Sequence, residues 1–290
     1  FTDYLSKKKL NNEIALESLN NGKILYIPKL IQELNLIEDF EKLVGYTIQD
    51  FPSLHKLMNH KDIVQKIANK RSSLDTLLFQ TKIILTIGEI FKKPIFCELE
   101  PNLRIHFPFK TIKNISKKIE KRLGTGQASP HSVHKDSWYY HPKKTVNIWV
   151  AGTPVDEFNG LSILPESHNY YPDFYSGGLM KNLSDAITSE HVTLRLNPGD
   201  AVVFLSENIH SSILNQSDIT RLALSMRFSF EKPSSQALKS YWYEKARKKN
   251  GSWVFTTEVS KKKLFDPKSI VNKFHKINNN NNLNVSSKSI

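Results

Sequence analysis

The spacing of apolar positions changes along the chain. Early on, Ile31, Leu34, Ile37 and Phe40 recur at three-residue intervals shortly after Pro28, the rhythm and start signal of a helix. Ser73 to Lys92 predicts a second, longer helix, with Leu74, Leu77, Leu78, Ile83, Ile84 and Ile87 crowding one side and Asp75 and Thr76 in the first turn. The period then shortens. Between Ile95 and Pro108, Leu103, Ile105 and Phe107 alternate with Arg104 and His106, which predicts strand. Ile115 to Arg122 reads as a short basic helix. Strands are expected at Val146–Gly152, Leu161–Leu164, His191–Leu196, Ala201–Leu205, Ser211–Leu214 and Arg221–Phe230, separated by polar turns such as Asn197-Pro198-Gly199-Asp200. Ser234 to Lys249 reads as helix.

Short strands at this spacing argue for a sandwich or barrel. The fold class is therefore mainly β with flanking helices. Residues 1–94 form a helical N-terminal region packing on the barrel, 95–232 the β core, 233–260 a C-terminal helix and extension, and 261–290 a basic Asn/Lys-rich tail. The unbroken asparagine run from Asn278 to Asn282 marks that tail as disordered.

Composition narrows the classes. A chain of 290 residues that is 39% hydrophobic can bury a full core. No apolar run approaches the roughly 18–20 residues of a membrane helix, and no charged-then-apolar leader is visible. One cysteine, Cys97, leaves no internal disulfide and no cysteine-built metal site. A cytoplasmic location follows. The net charge is +13, of which +6 falls in residues 261–290, where seven lysines face one acid, Asp266; the other residues carry +7. No arginine-rich patch or nucleic-acid motif accompanies it, so the charge reads as a solvated surface without a specific nucleic-acid partner.

The chemistry starts at His134-Lys135-Asp136. In extended chain, residues two apart share a face, so an imidazole and a carboxylate can converge on one ion. His210, just past a buried strand that follows Pro198-Gly199-Asp200, can supply a second imidazole. Two histidines and one carboxylate on one face leave open positions, the arrangement of non-haem Fe(II) oxygenases. Eleven residues on, Arg221 can take a carboxylate through two parallel hydrogen bonds, with Ser212 on the His210 strand as a further donor. Arg227 shares the strand parity of Arg221 and reads instead as a structural ion pair. His131, three residues before His134, invites a zinc-hydrolase reading but lacks the helical glutamate that such a site carries between its histidines. Trp149, Gln127, Trp138, Tyr139, Arg104 and His106 are candidate pocket residues; His168 reads as structural.

From about Pro101 to Phe230 the chain resembles the phytanoyl-CoA dioxygenase-like branch of Fe(II)- and 2-oxoglutarate-dependent oxygenases. His134-Lys135-Asp136 resembles the His-x-Asp motif, and Trp149 the tryptophan of the following strand. Asn159 to His168 is similar to the family's Asn-Gly-Leu…Pro-Gly-Ser-His segment, with Glu166 in place of the usual glycine. Pro198-Gly199-Asp200, His210, Ser212 and Arg221 follow with family-like spacing. The resemblance implies a double-stranded β-helix, or jelly roll, with Fe(II) held by His134, Asp136 and His210. It implies 2-oxoglutarate chelating the iron, its far carboxylate at Arg221 with Ser212 assisting and Trp149 and Gln127 nearby. It further implies that O₂ oxidises a C–H bond of a small-molecule substrate, with succinate and CO₂ released. Halogenases of the superfamily carry a small residue at the position of Asp136, so the carboxylate implies hydroxylation or a related oxidation. The positive charge favours an anionic substrate. Competing readings are a jelly-roll binding protein without chemistry and an oxygenase acting on a macromolecule.

Overall fold

The computed structural model describes residues 2–4, 12–112, 130–170, 174–175, 179–180, 191–233, 243–249 and 252–256, apart from 58, 61, 64, 67–73, 99–100 and 140. In chain order these carry β1 (Thr2–Tyr4), α1 (Asn12–Asn20), β2 (Ile24–Ile27), α2 (Leu30–Glu33), α3 (Ile37–Val44), α4 (Leu54–Leu57), α5 (Leu74–Phe91), β3 (Ile95–Glu98), β4 (Asn102–His106) and α6 (Phe109–Ile112). There follow β5 (Val146–Ala151), β6 (Leu161–Ile163), β7 (Phe174–Tyr175), β8 (Leu179–Met180), β9 (Val192–Thr193), β10 (Ala201–Leu205), β11 (His210–Ser212), β12 (Arg221–Ser229), β13 (Tyr243–Lys249) and β14 (Ser252–Thr256).

The organising strand is β12. All nine of its residues are buried, because both faces are covered. Leu222, Leu224, Met226 and Phe228 join a core with Val146, Ile148 and Val150 of β5, Val203 of β10, and Phe79, Ile83, Ile84 and Ile87 of α5. The other parity, Arg221, Ala223, Ser225 and Arg227, faces the opposite way, as do Asn147, Trp149 and Ala151 on β5. There Trp149, Ala151 and Ala223 pack with Leu161 and Ile163 of β6, Leu194 and Phe204 in a second, smaller core. Alternation along two adjacent strands thus separates a helix-facing layer from an inner cavity.

The large sheet has nine strands in the order β1-β2-β10-β5-β12-β3-β13-β14, with β4 also pairing β12. A small sheet, β11-β6-β9, covers the inner face. This is a mainly β jelly roll with helices on its outer side. The N-terminal region is more than helical: β2 pairs β10 antiparallel and extends the large sheet. Its helical stretch divides at Asn35, whose φ of 54° ends α2 before α3 begins. α3 docks on α5 through Phe40 stacked on Phe79, centroids 5.2 Å apart, and through the Lys82–Asp39 ion pair at 2.6 Å.

The Asn197-Pro198-Gly199-Asp200 turn forms as expected. Gly199 has φ +91°, a conformation that favours glycine, and a Cβ there would displace the Gln32 side-chain amide. Asp200 accepts from Asn197 N–H, Tyr26 O–H and Lys29 N–H, each at 2.8 Å, tying the turn to β2 and α2.

Four expectations are corrected. Residues 243–249, read as part of a helix, form β13, paired to β3 and to β14. The overlooked signal is Asn250-Gly251, a strong hairpin dipeptide, between two segments able to alternate. Ile95–Pro108 is two strands, each pairing its own stretch of β12. His191–Leu196 contributes only β9, plus an isolated bridge from Val155 to Leu196. The strand expected at Ser211–Leu214 starts instead at His210. The basic helix at 115–122 and the tail at 261–290 lie outside the described residues.

Candidate active site

His134 and His210 are locked together by a pair of backbone hydrogen bonds, His134 N–H to His210 O and the reverse, both 2.9 Å. This isolated antiparallel bridge sets the two imidazoles side by side, ring centroids 4.3 Å apart. Asp136 enters from the 3-10 turn Asp136–Tyr139, its N–H donating to Ser206 O at 3.0 Å. Asp136 Oδ1 lies 3.6 Å from His134 Nε2 and 3.8 Å from His210 Nε2. One ligand atom from each residue lies within 4.8 Å of the other two, and all three residues are buried. Lys135, between the ligands, points away and donates its Nζ to His168 O at 2.8 Å.

The surroundings set the protonation states. His134 Nδ1 is 2.6 Å from Ser132 O, and His210 Nδ1 is 2.8 Å from Asn208 O. A carbonyl only accepts, so each Nδ1 carries a proton, and each Nε2 faces the space the three residues share. Burial and the neighbouring His134 push His210 down to about 4, so it is neutral at physiological pH. Burial works to raise the Asp136 carboxyl, but the Arg227 guanidinium outweighs it and holds the group well below the usual carboxylate range. Two imidazoles and one carboxylate are a donor set suited to a divalent transition metal.

Around Asp136 the hydrogen bonding is dense. Asn147 Nδ2 donates to Oδ2 at 2.7 Å. Arg227 donates from Nε to Oδ2 at 3.0 Å and from Nη2 to Oδ1 at 3.2 Å. Its Nη1 reaches Glu98 Oε2 at 3.2 Å. Arg227 therefore forms a buried ion pair, as expected, and its partner is the candidate metal ligand itself.

The pocket at the three donor atoms is walled by Arg104, His131, Asn147, Trp149, Leu161, Phe204, Ser212, Ser225 and Arg227. Ser212, Trp149 and Arg104 thus stand on the wall. Arg221 is fully buried behind it, with its guanidinium 5.5 Å from the Trp149 ring. Its Nε donates to Asn159 O at 3.2 Å and its Nη2 contacts His106 Nδ1 at 2.8 Å. Nη1 is buried with no hydrogen-bond partner. Burial and Arg104 lower the Arg221 guanidinium to about 9, still charged at neutral pH. His131 packs its ring on His134 and Tyr139 at 4.7 and 5.4 Å and lines the pocket. Gln127 lies outside the described residues. Glu98 and Asn147, both in contact with the Asp136 network, have no motif in the sequence. Only the alternation of β5 and β12 could have placed Asn147 and Arg227 on the inner face.

A jelly roll with two histidines and a carboxylate converging on its inner face has the architecture of a cupin-type protein with a donor set that could hold one metal ion. The family model for phytanoyl-CoA dioxygenase (PhyH) matches residues 67–223, and the chain belongs to this family. Fe(II), 2-oxoglutarate and O₂ are the family's cofactor and co-substrates, and the residues present fit the metal. Among solved structures, EctD from S. alaskensis in its apoform is 11% identical, covering 81% of this chain and 83% of that one, with a TM-score of 0.51. The non-heme alpha-ketoglutarate-dependent carbocyclase SnoK from nogalamycin biosynthesis is 16% identical, covering 78% and 87%, with a TM-score of 0.47. The epimerase SnoN, in complex with Fe³⁺, alpha-ketoglutarate and nogalamycin RO, is 17% identical, covering 75% and 84%, with a TM-score of 0.45. No curated protein sequence matches the chain. Among the described residues no helix is long and apolar enough to cross a membrane.

Proposed function

We propose that this protein is an Fe(II)- and 2-oxoglutarate-dependent oxygenase that hydroxylates a C–H bond of a small, anionic metabolite. His134 Nε2, Asp136 Oδ1 and His210 Nε2 hold the metal. The observation that carries this reading is the convergence of those three atoms, each fixed by its own hydrogen bonds. When bound, the iron and 2-oxoglutarate supply the oxidising power, and succinate and CO₂ are released.

The chain's residues do the rest. The Nδ1–H bonds to Ser132 and Asn208 keep both imidazoles in the ligating tautomer. Asn147 and Arg227 hold Asp136 as an anion, oriented toward the imidazoles. Arg221, with the unpartnered buried Nη1, receives the far carboxylate of 2-oxoglutarate, with Ser212 and Trp149 assisting from the pocket wall. Phe204 and Leu161 keep water from the inner wall. Arg104 on the pocket wall supports an anionic group on the substrate. The retained carboxylate at Asp136 supports hydroxylation, and the complete donor set speaks against a binding protein without chemistry.

The test is succinate release from 2-oxoglutarate under air, with Fe(II), screening small anionic metabolites. The expected result is substrate-stimulated succinate that is lost in Asp136→Ala. Full succinate formation by that variant would sink the assignment.

A further inference from the structure

Behind the metal ligands lies a second buried carboxylate that the proposed chemistry does not use. Glu98 on β3 is 6% exposed, Arg227 6% and Asp136 1%. The three form a line: Glu98 Oε2 to Arg227 Nη1 at 3.2 Å, then Arg227 Nη2 to Asp136 Oδ1 at 3.2 Å. Asp136 Oδ1 is the oxygen that faces both imidazoles.

One carboxylate would suffice to neutralise one buried guanidinium. Burying a second is expensive, since each ion loses its hydration. Its position gives it a use. A carboxylate bound on both oxygens by an undiminished guanidinium has little negative charge left for a dication. Glu98, on the far side of the guanidinium, draws part of that positive charge away and returns the trio to a net −1.

Glu98 is itself held by the outer layer. β3 pairs β12 through Cys97 and Phe228, and β13 pairs β3 through Tyr243 and Glu98. Gln80 of α5 donates to the Glu98 backbone oxygen. The helix and the C-terminal hairpin therefore both bear on the aim of the Glu98 side chain, and through Arg227 on the metal ligand.

We propose that Glu98 is a positioning residue for the metal: acting through Arg227, it sets how strongly and in what orientation Asp136 ligates. The inference rests on the proposed His134, Asp136 and His210 metal site.

The test is titration of the full chain with Co(II), a probe whose visible bands report ligand strength and geometry. In Glu98→Gln, which keeps the shape and removes the charge, the Co(II) Kd rises about tenfold and the bands shift, in the range usual for residues that support a metal ligand. In Glu98→Asp, which restores the charge one methylene short, the Kd returns to within about threefold of wild type. A Glu98→Gln protein with unchanged Kd and bands but a lower melting temperature overturns the proposal, leaving a purely structural ion pair. Equal tenfold losses in both variants also overturn it, since charge would then not be the cause. Should Glu98→Gln not fold, Glu98→Met, an apolar side chain of similar size without the charge, decides: a Kd raised about tenfold with shifted bands supports the proposal, and wild-type Kd and bands overturn it. Wild-type protein that binds no Co(II) would instead overturn the metal site itself, and this inference with it.

Discussion

Arg227 grips both carboxylate oxygens of Asp136, through Nε to Oδ2 at 3.0 Å and through Nη2 to Oδ1 at 3.2 Å. The same carboxylate is the candidate metal ligand, so one buried ion pair bears on both folding and chemistry. Arg227→Ala leaves Asp136 and Glu98 as buried carboxylates facing each other. Breaking a buried pair in this way costs about 3–5 kcal/mol. Denaturant unfolding of the metal-free protein is expected to show a loss of that order; a loss under 1 kcal/mol would mean the pair is open to water.

Neighbouring residues on β5 separate stability from ligation. Ile148 faces the helices and Asn147 faces Asp136, the candidate metal ligand. Ile148→Ala is expected to cost about 2–5 kcal/mol without changing the Co(II) affinity of the folded fraction. Asn147→Ala removes a hydrogen bond to a charged group, costing about 1.5–3 kcal/mol, and weakens Co(II) binding about tenfold. Unfolding curves and Co(II) titrations on both variants check the contrast, and the reverse pattern would contradict the assignment of faces.

Arg221 and the metal ligands are expected to act on different ligands. Removing the buried guanidinium in Arg221→Ala takes away one partner of a buried charge pair, worth at least about 2 kcal/mol, or roughly a thirtyfold loss of 2-oxoglutarate affinity. Co(II) affinity stays near wild type. Calorimetric titration with each ligand in turn measures both. Loss of 2-oxoglutarate binding in Arg104→Ala but not in Arg221→Ala would move the carboxylate site to the pocket wall.

Acid should destabilise the metal-free protein through its buried imidazoles. Burial, and then Arg227, push His141 down from 6.5 to about 2; burial pushes His131 to about 3 and His210 to about 4. A lowered pKa means that the unfolded chain binds protons the folded chain refuses. Stability is therefore full above about pH 6.5 and falls as pH drops, until each group's folded value is reached. Each group adds a slope of up to about 1.4 kcal/mol per pH unit. Urea unfolding at pH 7 and pH 5 is expected to show the fall, and His141→Gln to reduce it. A stability independent of pH over that interval would mean these rings are solvated.

Much of this was legible in the sequence because the signals were local. The His-x-Asp spacing, the Pro-Gly-Asp turn and the alternation of β12 each follow from a few adjacent residues, and the structure brings His134, Asp136 and His210 together. Glu166, where glycine is usual, stands at φ +61°; the left-handed turn persists with a non-glycine residue in it. What was not legible depended on distant pairing. β13 carries Glu, Lys, Ala and Arg, residues with good helix propensity, and becomes strand because β3 offers an edge on one side and β14 pairs on the other. In the sequence, Glu98 is a single acid at the end of the apolar run Ile95-Phe96-Cys97. Its role appears only when β3 is laid against the end of β12, which brings it to Arg227.

The central claim is that His134, Asp136 and His210 hold iron in a form that 2-oxoglutarate can chelate. Adding Fe(II) and then 2-oxoglutarate to the purified protein without oxygen tests it most directly. The account predicts a visible metal-to-ligand charge-transfer band in the wild type, absent in Asp136→Ala and weakened in Arg221→Ala at limiting 2-oxoglutarate. A folded wild-type protein that shows no band, or a band that survives Asp136→Ala unchanged, would contradict it.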